Sequence, residues 1–371
     1  MKVAIVINTS WNIYNYRMGL VKALIAEGHE VYAIAPHDEF SDSLIEIGCK
    51  YIPIRMDNWG TNVFKDLKLV YDFHKIYKSL RPDVIFHFTI KPNIYGTIAA
   101  RLLNILSISN VSGLGTVFME DNFVTSLVKK MYEFAFRFPE KIFFQNEDDI
   151  AFFKKHALVK DDKIEIVPGS GVNTDHFVSN GHQKNGKFTF LMVSRMLYDK
   201  GVVEYIEARK QIQNNGRVVE FQILGGIDPG HVRGIPEEDI NDWVDKGLVN
   251  YLGTAKDVRP YIDKADCIVL PSYREGTPRT LLEAASMAKP LLATDVPGCN
   301  NVVEDNVNGL LCKVKDVDDL ADKMKKMIKA SDEELHKFGE NARSMVKSRF
   351  DEKLVIEQYI NTLKDLSKKV L

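Results

Sequence analysis

Residues 267–285 read CIVLPSYREGTPRTLLEAA. CIVL is an uninterrupted apolar run, which suits a strand buried on both faces. A polar loop follows, and Thr277 and Pro278 read as the start of a helix, with Thr as the N-cap and Pro at the first helical position. Backbone N–H groups at such a start, with the positive end of the helix dipole, suit a diphosphate. Glu275 falls just outside the cap. Glu283 falls roughly 7 Å inside the helix, five residues on from Pro278 at about 1.5 Å each. Two carboxylates flanking a phosphate site can accept hydrogen bonds from hydroxyls at both ends of a nucleotide-sugar. The competing reading is a solvated Glu275 and a helix-surface Glu283. The Gly-Thr-Pro cap between them favours the site.

The same strand–loop–helix rhythm extends along the chain. Strands are expected near 2–7, 30–35, 51–54, 84–88, 107–111, 141–145 and 164–167, and again near 188–194, 219–224, 249–252, 267–271, 290–293 and 309–312. Helices are expected near 14–27, 64–79, 94–104, 123–138, 147–157, 201–214, 257–264, 279–288 and 317–329, with a charged helical tail over 332–371. Strand–helix alternation with strands apolar on both faces means parallel sheets covered by helices, an α/β chain of two doubly wound domains. Turn-rich 168–174 and polar 179–187 put the boundary between 1–174 and 175–350. The helix over 351–371 is free to pack on either domain.

Composition narrows the function. The chain has 371 residues, ample for two domains, and 49 basic against 51 acidic side chains give a formal net charge of −2. No basic excess points to nucleic acid. Four cysteines without a C-x-x-C pair fit neither a zinc ribbon nor a disulfide framework, and a reducing cytoplasm is expected. VAIVIN after Met1 and Lys2 is too short for a signal-peptide core, and the longest uncharged run, 102–119, is broken by polar residues and glycines, so no membrane span is expected.

A second element, SRMLYDKG at 194–201, follows the strand FTFLMV. Arg195 and Lys200 flank a strand-to-helix loop at the carboxyl edge of a parallel sheet, where α/β ligands bind. A guanidinium and an ammonium there suit a diphosphate. Taken together, S-R-x4-K-G (194–201), P-S-Y-R-E-G-T-P (271–278), E-x7-E closing at Glu283, Y-L-G-T-A-K-D (251–257), D-x-P-G (295–298) and N-G (308–309) resemble family 4 of the retaining glycosyltransferases. The resemblance covers nearly the whole chain, with its specific motifs in the second half. It implies a GT-B fold, two Rossmann-like domains facing a cleft, with the acceptor held by 1–174 and a UDP-sugar donor by 175–350. It implies Arg195 and Lys200 on the donor diphosphate and Glu275 on donor-sugar hydroxyls, helped by the backbone of Gly276, Thr277 and Pro278. It further implies Glu283 on the ribose and Leu252, Gly253 and Thr254 along the nucleobase. The segments 10–17, 91–93 and 113–115 look like a narrower subgroup that extends lipid-diphosphate-linked sugars during bacterial glycan assembly.

One departure stands out. Many family members carry Gly-Gly after the first strand, whereas here the loop reads Thr9-Ser10-Trp11-Asn12. Gly113 and Gly115 offer an alternative close approach, with Arg17 and Lys91 as further candidates of the N-terminal cleft. Gly113-x-Gly115 lacks the third glycine of a dinucleotide fingerprint. Asp316-x-Asp318 has the form of an acidic metal motif, yet sits where a helix would be capped. With scattered histidines, no metal and no cofactor is expected. His87 reads as a satisfied, partly buried histidine. The helix 124–138 offers Tyr132 and Phe136 beside Lys129, Lys130 and Arg137, which fits either a membrane-surface patch or a helix buried between neighbours.

With these features, the resemblance implies a metal-independent retaining glycosyltransferase that moves an N-acetylhexosamine from a UDP-sugar to a lipid-diphosphate-linked saccharide. Its expected location is the cytoplasm, peripheral on the inner membrane face. The rivals are a UDP-sugar epimerase on the same fold and a catalytically silent nucleotide-sugar-binding protein. Donor epimer, acceptor, linkage position and oligomeric state are not legible.

Overall fold

The computed structural model describes residues 1–57, 63–114, 118, 122–181, 186–212 and 218–368. They form two units, Met1–Gly171 with Glu352–Leu371, and Val172–Asp351. The crossings thus fall at 171/172 and 351/352.

Unit 1 holds seven parallel strands: β1 (Lys2–Val6), β2 (Glu30–Ala35), β3 (Lys50–Pro53), β4 (Val84–Phe88), β5 (Leu106–Val111), β6 (Lys141–Phe144) and β7 (Ile164–Ile166). Unit 2 holds six: β8 (Lys187–Val193), β9 (Val218–Leu224), β10 (Asn250–Tyr251), β11 (Cys267–Leu270), β12 (Leu291–Thr294) and β13 (Gly309–Cys312). The orders are β3-β2-β1-β4-β5-β6-β7 and β10-β9-β8-β11-β12-β13. Each repeats the Rossmann order, reversing direction at β1/β4 and at β8/β11. Every expected strand is present, with ends shifted by two residues at most, because runs apolar on both faces leave little else to choose.

Helices cover both faces of each sheet. In unit 1 these are α1 (Ser10–Ala26), α2 (Ser41–Glu46), α3 (Val63–Leu80), α4 (Thr97–Leu102) after a π-helical turn over Pro92–Gly96, α5 (Phe123–Ala135) and α6 (Glu147–Lys155). Unit 2 has α7 (Val202–Lys210), α8 (Glu237–Asp245), α9 (Arg259–Lys264), α10 (Arg279–Ser286), α11 (Val317–Lys329) and α12 (Asp332–Arg349). The last helix, α13 (Glu352–Ser367), belongs to unit 1. Along β1, Ala4 and Val6 face the core under α3 to α6, while Val3 and Ile5 face the core under α1, α2 and α13. Tyr359 of α13 lies in that second core and donates from its hydroxyl to Asn110 Oδ1.

Three helical features differ from expectation. The stretch after β1 is not a loop through Asn12: Thr9 accepts from the Asn12 N–H as N-cap, and α1 begins at Ser10. Its inward stripe begins Ser10, Ile13, Arg17, Leu20, so two polar residues carry the first two turns of helical periodicity. The helices α2 and α8 were not expected. The first buries only Ser41 and Leu44 and the second only Ile240, too few for an apolar pattern.

Candidate active site

In unit 2 the loops after β8 and β11 meet at the point where strand order reverses. Lys200 Nζ lies 2.5 Å from Glu275 Oε1, the two side chains being only 18% and 14% exposed. Ser272 Oγ donates to the same oxygen at 2.7 Å. The loops are tied by the Tyr273 N–H, which donates to Asp199 O at 2.9 Å, and by Thr280 Oγ1, which donates to Val193 O at 2.9 Å. Gly201 has φ +74°, and a Cβ there would stand 2.1 Å from Pro271 O, so only glycine lets the loops close. Behind Glu275, its N–H donates to Pro297 O at 3.1 Å, and Gly298 (φ +87°) leaves room for Gly276 O, which a Cβ would meet at 2.5 Å. The D-x-P-G motif therefore buttresses the Glu275 loop. Arg195 lies exposed just past the end of β8.

The helix after this loop starts one residue later than expected. Pro278 is extended (φ −70°, ψ 113°), and its carbonyl accepts from the N–H groups of Leu281 and Leu282, so Pro278 rather than Thr277 is the N-cap. No cap side chain bonds the first-turn amides of α10. Within the helix Arg279 Nε donates to Glu283 Oε1 at 2.9 Å, and both side chains are nearly buried. Burial pushes the Glu283 carboxyl above the usual range, and Arg279 partly opposes that. A carboxylate so enclosed is not a helix-surface charge.

Beside the loops, Leu252 N–H donates to Ile223 O, and Gly253 (φ +67°) accepts from the Gly225 N–H at 2.7 Å. Leu252, Gly253 and Thr254 thus line the carboxyl edge next to β9. Sequence reading missed Gly225, where a Cβ would sit 1.7 Å from Ser194 O. The Gly-Gly pair at 225–226, after the second strand of this unit rather than the first of unit 1, was the available signal. His231 was missed too. It is buried, accepts from the Arg233 N–H at 3.0 Å through Nδ1, and has its pKa lowered by burial and by the charge of Arg195.

In unit 1, three of the four candidates gather at the carboxyl edge of the sheet. The Arg17 guanidinium is buried 4.6 Å from the ring centre of Phe88, the last residue of β4. Lys91 Nζ lies 2.7 Å from Asp66 Oδ1, whose other oxygen accepts from Tyr95 at 2.9 Å. Gly113, just past β5, has φ +103°. Gly115 lies outside the described residues. Asn93 is structural: it exchanges hydrogen bonds with the backbone of Asn110. His87 is fully buried between Tyr77 and Thr97, and burial lowers its pKa to about 3, leaving it neutral. Asp316 caps α11 by accepting from the Asp319 N–H. Among the described residues no cluster of His, Cys, Asp or Glu could hold a metal ion, and no helix is long and apolar enough to cross a membrane.

Of the two readings of helix 124–138, burial between neighbours holds for Tyr132 and Phe136, which form no surface patch. Both rings are buried, packed edge-on to each other and against Phe153. On α5, Thr125, Tyr132 and Ala135 are buried and Val128 and Met131 pack against the same core, while Phe123, Leu127 and Phe134 are exposed.

Two Rossmann-type parallel sheets in one chain are the architecture of the GT-B fold. Comparison with known proteins agrees. Glycosyl transferases group 1 matches residues 174–345, and glycosyl transferase 4-like matches residues 2–146. Both halves of the chain thus match glycosyltransferase families, 4-like in the first and group 1 in the second. It is 28% identical to the N,N'-diacetylbacillosaminyl-diphospho-undecaprenol alpha-1,3-N-acetylgalactosaminyltransferase of Campylobacter jejuni, over 97% of each chain. It is 25% identical to the UDP-Gal:alpha-D-GlcNAc-diphosphoundecaprenol alpha-1,3-galactosyltransferase of Escherichia coli, over 82% of this chain and 80% of that one. Sucrose-phosphate synthase from Thermosynechococcus elongatus shares the fold, with a TM-score of 0.84 at 18% identity over the full length of both chains.

Proposed function

We propose that this glycosyltransferase moves an N-acetylhexosamine from a UDP-sugar to a lipid-diphosphate-linked saccharide in bacterial glycan assembly, retaining the α configuration without a metal ion. The observation that carries this reading is the Lys200–Glu275 pair at the strand-order reversal beside the start of α10. Lys200 and Arg195 neutralise the donor diphosphate together with the α10 amides, Glu275 accepts from donor-sugar hydroxyls, and Glu283 accepts from the ribose. Leu252, Gly253 and Thr254 border the base. The acceptor is held by unit 1, where Arg17, Lys91 and Gly113 stand at the sheet edge.

The bond between the sugar C1 and the diphosphate oxygen breaks as the acceptor oxygen attacks C1 from the same face. The acceptor proton passes to the departing diphosphate. The protein's part is positioning and stabilising the leaving group's charge, and two cations with a helix start supply that. Both named relatives act on diphosphoundecaprenol saccharides and form α-1,3 linkages, which supports the acceptor class and retention. A lipid-anchored acceptor sets the enzyme to work at the cytoplasmic membrane face.

The test is UDP release with a panel of UDP-sugars and a detergent-solubilised polyprenyl-diphosphate saccharide, with excess EDTA and with added Mg²⁺. Turnover is expected with a UDP-N-acetylhexosamine, unchanged by chelation, with an α linkage in the product. Loss of turnover on chelation, restored by a divalent ion, removes the metal-free diphosphate site. Turnover only with another donor sugar removes the N-acetylhexosamine assignment.

A further inference from the structure

The helix α3 buries Leu69, Phe73, Tyr77 and Leu80 and turns Phe64, Leu67 and Tyr71 outward, 83%, 63% and 65% exposed. Lys68, Lys75 and Lys78 are exposed on the same side. Positions 64, 67, 68, 71, 75 and 78 follow the helical repeat and form one stripe of large apolar and cationic residues. The helix α5 adds Phe123 (82% exposed), Leu127 and Phe134, with Lys130 between them. Both helices bury their inner sides in one core cluster and pack on the π-helical turn over Pro92–Gly96. Their outward stripes therefore look away from the same face of the sheet. Alongside α3 runs a cavity of about 750 Å³. Among the described residues, Lys2, Arg55, Lys68 and Lys75 line it beside one carboxylate, that of Asp72, over a floor that includes Ile52.

Large apolar side chains interleaved with cations are costly to leave in water, and the chain's overall charge of −2 makes this local excess of cations the more specific. We propose that an anionic phospholipid bilayer docks on the α3–α5 face of unit 1. Phe64, Leu67, Tyr71 and Phe123 enter the acyl boundary, and the cations meet headgroup phosphates, one of them at the cavity beside α3. A bilayer matches both halves of the stripe, since lysine stems lie along apolar surface while their ammonium groups reach the phosphate layer. The inference rests on the lipid-anchored acceptor only for its purpose, and the surface stands on its own geometry.

The experiment is flotation of the full chain with phosphatidylglycerol-containing and with pure phosphatidylcholine vesicles, at low and high salt. Wild type is expected to float with the anionic vesicles at low salt, to detach at high salt, and to stay down with the neutral ones. Lys68→Gln/Lys75→Gln is expected to weaken anionic-vesicle partitioning roughly thirtyfold, at the usual strength of a lysine near an anionic surface. Leu67→Ser/Tyr71→Ser is expected to weaken it at low salt although every cation is kept, and far-UV circular dichroism checks that each variant is folded. Should that pair fail to fold, Phe123→Ser/Leu127→Ser on α5 tests the same apolar contact. Failure of wild type to float, or folded variants that float like wild type, overturns the docking surface. A parallel UDP-release assay with a detergent-solubilised acceptor contains no vesicle step. Its failure strikes the proposed reaction and leaves the docking result standing.

Discussion

Lys200 and Glu275 are 75 residues apart in sequence and share a hydrogen bond at 2.5 Å. Removing either partner of a half-buried pair strands the other charge, so each variant carries two effects. Lys200→Ala is expected to lower kcat/KM at least tenfold, about 1.4 kcal/mol of transition-state stabilisation. Glu275→Gln is expected to do the same, and the double variant should lose clearly less than the two losses combined. Losses that simply multiply would mean that the two residues act independently. The place of both residues was legible, because a cation after one strand and a carboxylate after another sit in recognisable loops. Their pairing was not, because it depends on how β8 and β11 lie together. The same limit explains α5. Residues one position apart on a helix differ by about 100°, and an aromatic-rich repeat offers more than one inward face. Packing against Phe153, on α6, selected the face with Tyr132 and Phe136.

At the scale of elements, the strands were legible because each is apolar on both faces. Helices were legible where apolar side chains carried the repeat, and not in α2, α8 or the first turns of α1, where polar or few residues carry it. Closures between elements were least legible, since they depend on glycines whose neighbours are distant in sequence. Gly298 is the sharpest case. A methyl group there would stand 2.5 Å from Gly276 O and 2.6 Å from Glu275 O, on a backbone with φ +87°. Gly298→Ala is therefore expected to displace the Glu275 loop, with strain on the order of 1–3 kcal/mol. Thermal unfolding should shift down, and affinity for UDP, measured by calorimetry, should fall together with turnover. An unchanged affinity would show that the buttress does not position the donor site.

At the scale of the whole molecule, the two units differ in how the chain builds them. Unit 2 is one continuous stretch, Val172–Asp351, whereas unit 1 needs both Met1–Gly171 and Glu352–Leu371. The returning helix α13 is part of a core: Val355, Tyr359, Leu363 and Leu366 are nearly inaccessible, and Tyr359 satisfies Asn110. Fully burying such side chains stabilises by about 1.5–3 kcal/mol each, so the four contribute on the order of 6–12 kcal/mol. A domain's whole stability is commonly about 5–15 kcal/mol. A fragment of residues 1–171 is therefore expected to be unfolded or aggregated when made alone, and to gain structure when a peptide of residues 352–368 is added. A fragment of residues 172–351 is expected to fold unaided and to bind UDP, since every residue assigned to the donor lies within it. Far-UV circular dichroism with thermal melts reads the folding of each piece, and calorimetric titration with UDP reads the binding. A cooperatively melting 1–171 fragment would show that α13 is dispensable. A folded 172–351 fragment without affinity for UDP would mean that the donor site draws on residues outside unit 2.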